Sequence, residues 1–427
     1  MLPVNQAEQI ILNLVQPFDR AYDVETLSLL NASGRILAET VTSSLDFPHW
    51  NNSAMDGYAV RYDDVQTCSA ENPVILDIVE EIPAGYQPQT PIQPGQAARI
   101  LTGSVMPTGA DTIVIQEETQ REGDRVTIFA SPQHHAFVRD RGAFYQAGNA
   151  LLPPGLRLQA PEIAVLAAAQ CAQVNVYRRP KVAILSTGSE LVGIDQPLQP
   201  GQIVDSNQYA LAAVVAQAGA EPLMLGSVPD QPEALKTAIQ QAIAAADMVL
   251  SSGGVSVGDY DYVDEILAAL GATIHIHAVA VKPGKPLTVA TFDHEKGRGK
   301  ETPSLDSPTS KKQLLYFGLP GNPVSALVSC WRFVLPALRK LSGLPSPWEP
   351  KFVKARSLST LKSDGKRESY LWGNLRLVDG EFEFELATGS HSSGNLINLA
   401  GTSGLAVIPL EETQISVGDH VQVLPIG

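Results

Sequence analysis

Two hydrophobic periodicities alternate along the chain and divide it into regions. Apolar residues at helical spacing (Ile10, Ile11, Leu14) open it, and short amphipathic pieces continue through residues 4–46, with Leu27, Leu29 and Leu30 ahead of Gly34. Residues 47–142 carry short β-like runs (VILDIV, AARILT, DTIVIQE, RVTIFA) separated by Pro and Gly, which predicts a β-rich module. After a Pro-Pro-Gly turn, APEIAVLAAAQCA predicts a return to helix across 143–178. From Arg179 strands and helices alternate: KVAILSTG, EPLMLGSVP and DMVLSSGG read as strands, NQYALAAVVAQAG, PEALKTAIQQAIAAA and DYVDEILAALG as helices. Such alternation predicts a parallel sheet wrapped by helices, with ligands gathered at the carboxyl ends of the strands. A polar, aperiodic insertion at 293–313 interrupts two β-like runs, PLTVATF and LLYFGLP, and is read as a surface segment. One long helix, PVSALVSCWRFVLPALRKL, then leads into a β-rich end.

The expected architecture is therefore multidomain α/β: a doubly wound strand–helix domain with β-rich N-terminal and C-terminal modules. Its boundaries fall at 1–46 plus 143–178 (a helical linker domain), 47–142 (β-rich), 179–342 (α/β, with the 293–313 insertion) and 343–427 (β-barrel-like). A length of 427 residues, with 44% hydrophobic and only 18% charged side chains, suits several packed cores and argues against a disordered chain. Thirty Lys+Arg against 45 Asp+Glu leave a formal charge of −15. That balance argues against a broad nucleic-acid or anionic-membrane surface, but not against a local basic pocket. No run approaches the ~18 apolar residues of a spanning helix. The N-terminus lacks a basic n-region, and Cys68, Cys171 and Cys330 form no framework, so a cytoplasmic protein with buried, reduced thiols is expected. There is no HExxH, and the His134–His135 pair reads as a loop.

Candidate chemistry sits at strand ends: STGSEL (186–191), VDSN (204–207), SSGGVSVGDYDY (251–262) and LPGNPVSA (319–326). The Gly253–Gly254 pair lets a ligand approach the backbone, and amides ahead of a helix suit an anion. Neither the G-x-x-x-x-G-K-[ST] nor the G-x-G-x-x-G spacing is present, which weakens nucleoside-triphosphatase and dinucleotide readings. Asn322 and Pro323 are placed to start a helix as cap and first-turn residue. Carboxylates recur at the same loop ends (Glu190, Asp205, Asp230, Asp259, Asp261) and suggest a hard-cation site, Mg²⁺ bridging carboxylate and phosphate. In VKPGKP (281–286), Lys282 and Lys285 would attract an oxyanion.

Read together with NSAMDGYA (52–59) and LTGSVMPTGAD (101–111), followed by Glu117–Glu118, these motifs occur in an order that strongly resembles the molybdopterin molybdotransferase family. In bacteria that family is called MoeA, and the E domain of gephyrin matches it. The resemblance covers nearly the whole chain. It implies magnesium-dependent insertion of molybdate into adenylylated molybdopterin with release of AMP, by an elongated four-part subunit working as a homodimer. Contact with the molybdopterin adenylyltransferase is a further expected partnership; nucleic acid and membrane are not expected.

Carried over by motif, Asp56 and Thr102 correspond to active-site positions of the β-rich module. Glu190, Asp230, Asp261, Lys282 and Lys285 correspond to those of the α/β domain, the three carboxylates as Mg²⁺ ligands. Gly188, Asp205, Ser252, Gly253 and Gly254 are expected to bind substrate, as are Ser256 and Gly258. The proline-rich turn adds Pro320, Gly321, Asn322 and Pro323, and the C-terminal module adds Arg367 and Ser393, the latter in a Ser392–Ser393 pair. Lys282, Lys285 and Arg367 suit capture of a tetrahedral dianion. The resemblance also implies a composite site, with Asp56 and Thr102 of one subunit facing the α/β domain of the other.

The chain departs from the family pattern at several places. Ala143 and Phe144 stand where the family commonly has two acidic residues after Arg-Gly, Asn51 replaces a common Asp, and Trp372 stands where an arginine often precedes Gly373. LINLAG (396–401) replaces a stretch richer in Ser and Arg. Two other readings follow from these features: a molybdopterin-binding scaffold without catalysis, and an adenylyltransferase or pyrophosphatase on the same α/β domain.

Overall fold

The computed structural model describes residues 1–254, 263–294 and 312–426. The chain divides into two compact units: Met1–Glu39, Gly155–Gln159 and Val174–Gly427 form the first, Thr40–Pro154 and Ala160–Gln173 the second. Among the described residues no helix is long and apolar enough to cross a membrane.

The first unit is built on a six-stranded sheet of β1 (Lys181–Thr187), β2 (Glu221–Val228), β3 (Met248–Ser252), β4 (Thr273–Ala278), β5 (Pro286–His294) and β6 (Lys312–Leu319), in the order β2-β1-β3-β6-β5-β4. β2, β1, β3 and β6 are parallel, with Val182 opposite Pro222 and Met248, and Met248 opposite Leu315. β1 is an almost unbroken apolar run because both its faces are covered. Val182 and Ile184 pack in a core with Leu211, Val215, Val324 and Phe333. Ala183 and Leu185, one residue out of phase, pack in another with Leu235, Ile239 and Leu267. Helices Asn207–Gln217 and Pro232–Ala245 thus serve opposite faces.

The sheet differs from the expected all-parallel arrangement at one side. β5 runs antiparallel to β6 and to β4 (Thr288 opposite Gly318, Thr273 opposite Thr291). Apolar periodicity reports which residues are buried, and that is the same for either strand direction. Most of the 293–313 insertion, which joins β5 to β6, lies outside the described residues. The long helix PVSALVSCWRFVLPALRKL is broken by a π-helical turn, Cys330–Val334, between Pro323–Ser329 and Leu335–Leu341. Pro336 has no N–H to give to the preceding turn, and a wider turn absorbs that loss.

The last module closes on itself. β7 (Val353–Ser357), β8 (Glu368–Val378), β9 (Glu381–Leu386), β10 (Gly404–Ile408) and β11 (His420–Pro425) pair in the cycle β8-β9-β7-β11-β10-β8, a five-stranded barrel. Its interior holds Ala355, Phe384, Ala406 and Val423. The two-residue strand Val281–Lys282 adds in parallel to β8, Lys282 opposite Ser369, which carries a loop of the α/β sheet onto the barrel.

The second unit contains a six-stranded sheet in the order Thr112–Ile115, Gly57–Val60, Gln96–Ile100, Val74–Ile82, Arg125–Ile128, Thr119–Glu122. All four β-like runs noted in the sequence are strands of this sheet. The helical reading of 143–178 is corrected: only Ala160–Ala168 is α-helix, whereas Ala150–Leu152 and Gln173–Tyr177 are strands. QVNVY alternates and pairs with Val24–Ser28, so a distant partner decides its state. The Leu27–Leu30 piece is likewise the end of that strand followed by a 3₁₀ turn.

Candidate functional site

A cleft of about 1270 Å³ opens in the first unit where the ends of β1, β3 and β6 meet the barrel. Asn207, at the start of its helix, ties three of the cleft's loops together. Its Nδ2 donates to Ser252 Oγ and to the Gly321 carbonyl, each at 2.7 Å, while Ser252 Oγ donates to the Pro320 carbonyl at 3.2 Å. Gly253 N donates to the Leu319 carbonyl at 3.1 Å, so the glycine pair and the Pro-Gly-Asn-Pro turn form one surface. Asn322 occupies the N-cap position and Pro323 the first helical turn, but no side-chain capping bond forms, and Asn322 instead lines the cleft.

Carboxylates line the side built from the β1 and β2 loops. Glu190 is exposed and folds back over Gly188, where a Cβ would come within 2.8 Å of its oxygens. Asp230 Oδ2 accepts from Ser189 N, and Asp230 N donates to Ser189 Oγ, both at 3.2 Å. The Glu190 carboxylate and Asp230 Oδ1 have no hydrogen-bond partner among the described residues. Asp205 behaves differently. It is buried, and its two oxygens accept from Gln208 N (3.2 Å), Gln208 Nε2 (3.0 Å) and Ser227 Oγ (3.0 Å), a helix-starting role. The buried hydroxyls of Ser186 and Thr187, at the end of β1, have no hydrogen-bond partner among the described residues.

Cations line the same cleft from other loops. Lys282 and Lys285 come from the 281–286 loop, Lys362 and Arg367 from the barrel. Lys282 Nζ donates to Asp364 Oδ2 at 3.0 Å, and Arg367 donates to the Val281 carbonyl at 3.4 Å. Lys285 has no carboxylate partner among the described residues. Ser393 also lines the cleft, and its carbonyl accepts from Val324 N at 3.1 Å, which fastens the barrel's serine loop to the helix after the proline turn. Four positive side chains around a concave polar wall can hold a small oxyanion although the whole chain is acidic.

The hydrogen bond from Lys282, then that from Lys366 N, hold the Asp364 carboxyl below its ordinary range. A depressed carboxyl supports the fold above its ordinary pKa, and that support is lost as pH falls through the depressed value. In the Lys282→Met variant, the Asp364 titration midpoint is expected to rise toward the ordinary carboxylate value. Side-chain NMR across pH 2–6 checks this, and an unchanged midpoint would show that the backbone bond alone sets it.

Among the described residues no group of three or more His, Cys, Asp or Glu is placed to hold a metal. Asp261, with Asp259, Ser256 and Gly258, lies outside the described residues. The cysteines offer no nucleophile: burial raises the thiols of Cys68 and Cys171 and pushes Cys330 up to about 12.

The second unit holds its own fixed pair. Asp56 Oδ1 accepts from both Thr102 N and Thr102 Oγ1 at 2.7 Å, and these bonds lower its pKa. Its second oxygen has no partner among the described residues.

The sequence reading did not single out Asn207, Lys362, Trp372 or His391 as site residues, although all four line the cleft. Asn207 sat in the VDSN motif and was legible there. Lys362 lies in LKSDGKR, which has the composition of an ordinary solvated turn.

Family models match in three consecutive blocks: the MoeA N-terminal region (domain I and II) over residues 2–169, a probable molybdopterin binding domain over 183–340, and the MoeA C-terminal region (domain IV) over 354–426. The chain is 61% identical over 426 residues to a molybdopterin molybdenumtransferase of Nostoc sp., covering 100% of this chain and 94% of that protein. It is 31% identical to that of Haemophilus influenzae, covering 100% and 99%. The solved structure of the molybdopterin biosynthesis MoeA protein from Pyrococcus horikoshii OT3 superposes with a TM-score of 0.82 at 26% identity, over the full length of both chains. With family models and relatives matching along its length, this chain belongs to the MoeA family.

Proposed function

We propose that this protein inserts molybdate into adenylylated molybdopterin with release of AMP, in a magnesium-dependent step of molybdenum cofactor biosynthesis. The observation that carries this reading is that one cleft is lined both by cations (Lys282, Lys285, Lys362, Arg367) and by carboxylates (Glu190, Asp230), with Ser393 also in its lining. Molybdate, a tetrahedral dianion, suits those cations. The relatives' name, molybdopterin molybdenumtransferase, supports the coarser part of this reading, molybdenum transfer in molybdenum cofactor biosynthesis.

The donor set fits Mg²⁺. A magnesium ion takes one or two protein carboxylates and completes its shell with water and substrate phosphate oxygens. Glu190 and Asp230, with three oxygens that accept no hydrogen bond among the described residues, would hold it, joined in this proposal by Asp261. Bound there, the ion would polarise the pyrophosphate of the adenylylated substrate. The protein's own share is placement: the Gly253–Gly254 and 320–323 backbone gives the substrate a close approach, and the lysines hold the anion. No covalent protein intermediate is needed, in keeping with the absence of an activated thiol.

Purified protein incubated with adenylylated molybdopterin, molybdate and Mg²⁺ should release AMP. Binding of the substrate without AMP release would favour a scaffold, and formation of the adenylylated compound from ATP would favour an adenylyltransferase.

The proposal includes a homodimer, contact with the molybdopterin adenylyltransferase, a cytoplasmic location and the four-part division at 46, 142, 178 and 342. It also assigns Asp56 and Thr102 of one subunit to the cleft of the other, a reading supported by the family resemblance and by the fixed, ionised state of Asp56. Mixed dimers of Asp56→Ala and Glu190→Ala subunits, each inactive alone, should recover part of the AMP release. No recovery in verified mixed dimers would remove the shared-site reading.

A further inference from the structure

Trp372 is 1% exposed, and its indole N–H requires a partner inside the protein. It finds Asn398: Nε1 donates to Asn398 Oδ1 at 2.7 Å. Asn398 Nδ2 in turn donates to the Thr388 carbonyl, and Asn398 N to Asn395 Oδ1 at 3.3 Å. Asn395 Nδ2 reaches the Ser390 carbonyl at 2.9 Å. The His391 ring lies against the indole at 4.4 Å between centroids and 39° between planes, anchored by its own bond to the Ala387 carbonyl at 2.8 Å. Ala387 N closes the circuit on the Trp372 carbonyl at 3.1 Å. The segment that carries Ser393 is therefore bonded to Trp372 at both ends, to its backbone carbonyl at Ala387 and to its indole at Asn398.

We infer that Trp372, acting through Asn398, is a positioning residue that sets the Ser393 segment where it lines the cleft. The inference rests on the reading of that cleft as a molybdate pocket. With the indole 1% exposed, its role is to fix the loop that carries Ser393. Without the N–H···O bond, the loop samples more conformations and anion capture becomes less favourable, whereas Glu190 and Asp230 are untouched.

The test uses Trp372→Phe, which keeps an aromatic ring under His391 and removes the donor, Asn398→Ala, which removes the acceptor, and the double variant. Molybdate affinity is measured by calorimetry on the intact protein, alongside AMP-release kinetics and thermal unfolding. Each single variant should weaken molybdate binding and raise its KM by roughly two- to tenfold, the span of one hydrogen bond's net worth. The double variant should do no worse than the poorer single one, because both remove the same bond. The KM for adenylylated molybdopterin should stay within about twofold, which a general loss of packing would not spare. Unchanged molybdate affinity in a folded Trp372→Phe or Asn398→Ala protein, or fully additive losses, would overturn the inference. Should Trp372→Phe fail to fold, Asn398→Ala decides alone, since it leaves the buried ring in place. If the unsubstituted protein binds no molybdate, the functional reading falls and the inference with it; binding by that protein with indifferent variants sinks the inference only.

Discussion

Replacing Lys285 by alanine is expected to raise the molybdate concentration for half-maximal AMP release by roughly 10- to 100-fold, the 1.5–3 kcal/mol of a hydrogen bond to a charged group. Lys285 lines the cleft, and no carboxylate among the described residues neutralises it. Lys282, three residues earlier in the same VKPGKP turn, is in a different state. Its ammonium already donates to Asp364 at 3.0 Å, so part of its charge is spent within the protein. Lys282→Ala should therefore cost less than Lys285→Ala. Lys285→Arg should recover only part of the loss, because a planar fork does not reproduce a compact ammonium. Steady-state kinetics over a molybdate series checks the ranking. An Lys285→Ala protein with wild-type molybdate dependence, or a ranking in the reverse order, would take Lys285 out of anion capture.

Gly253→Ala should be the most damaging single-methyl substitution in the cleft. Gly253 has φ +91°, and a Cβ there would sit 2.3 Å from the Thr187 carbonyl oxygen and 2.9 Å from its hydroxyl. The nearest obstacle is backbone of the central strand β1, which cannot swing aside as a flexible side chain could. We expect a loss of about 2–4 kcal/mol in the stability of the first unit, the range of substitutions that combine backbone strain with overpacking. AMP release should fall with it, because the displaced turn carries the Asn207–Ser252–Gly321 lock. Gly271→Ala is the control. That glycine also has positive φ (+85°), but nothing lies within 4 Å of its Cβ direction, so only the left-handed cost of roughly 1–2 kcal/mol applies. Denaturant unfolding followed by a probe in the first unit separates the two. Equal losses would mean that conformation alone, and not the close approach to Thr187, requires glycine at 253.

The sequence by itself determined the identity and order of most strands and helices, because burial on one or two faces imposes period 2 or period 3.6 on the side chains whatever their neighbours are. KVAILST, the Ala-rich helices and the four β-like runs at 74–128 were legible for that reason. It also exposed the motif residues, since glycine pairs and Pro-Gly-Asn-Pro turns are local chemistry. Pairing direction was decided elsewhere. The antiparallel β4–β5–β6 side and the strand Gln173–Tyr177 depend on partners far away in the chain, and a local pattern carries no record of them. The π-turn at Cys330–Val334 follows from a proline that the periodicity alone passes over. In the site, equivalent-looking acids separated into different states: Asp205 is consumed by Gln208 and Ser227, while Glu190 and Asp230 keep oxygens without a donor among the described residues. Likewise Lys282 meets Asp364 across 82 residues, and Trp372 meets Asn398 across 26. Charge and residue type are written in the sequence, but whether a polar group is spent on the protein or left for a ligand depends on which atoms folding brings within 3 Å of it, and only the tertiary structure decides that.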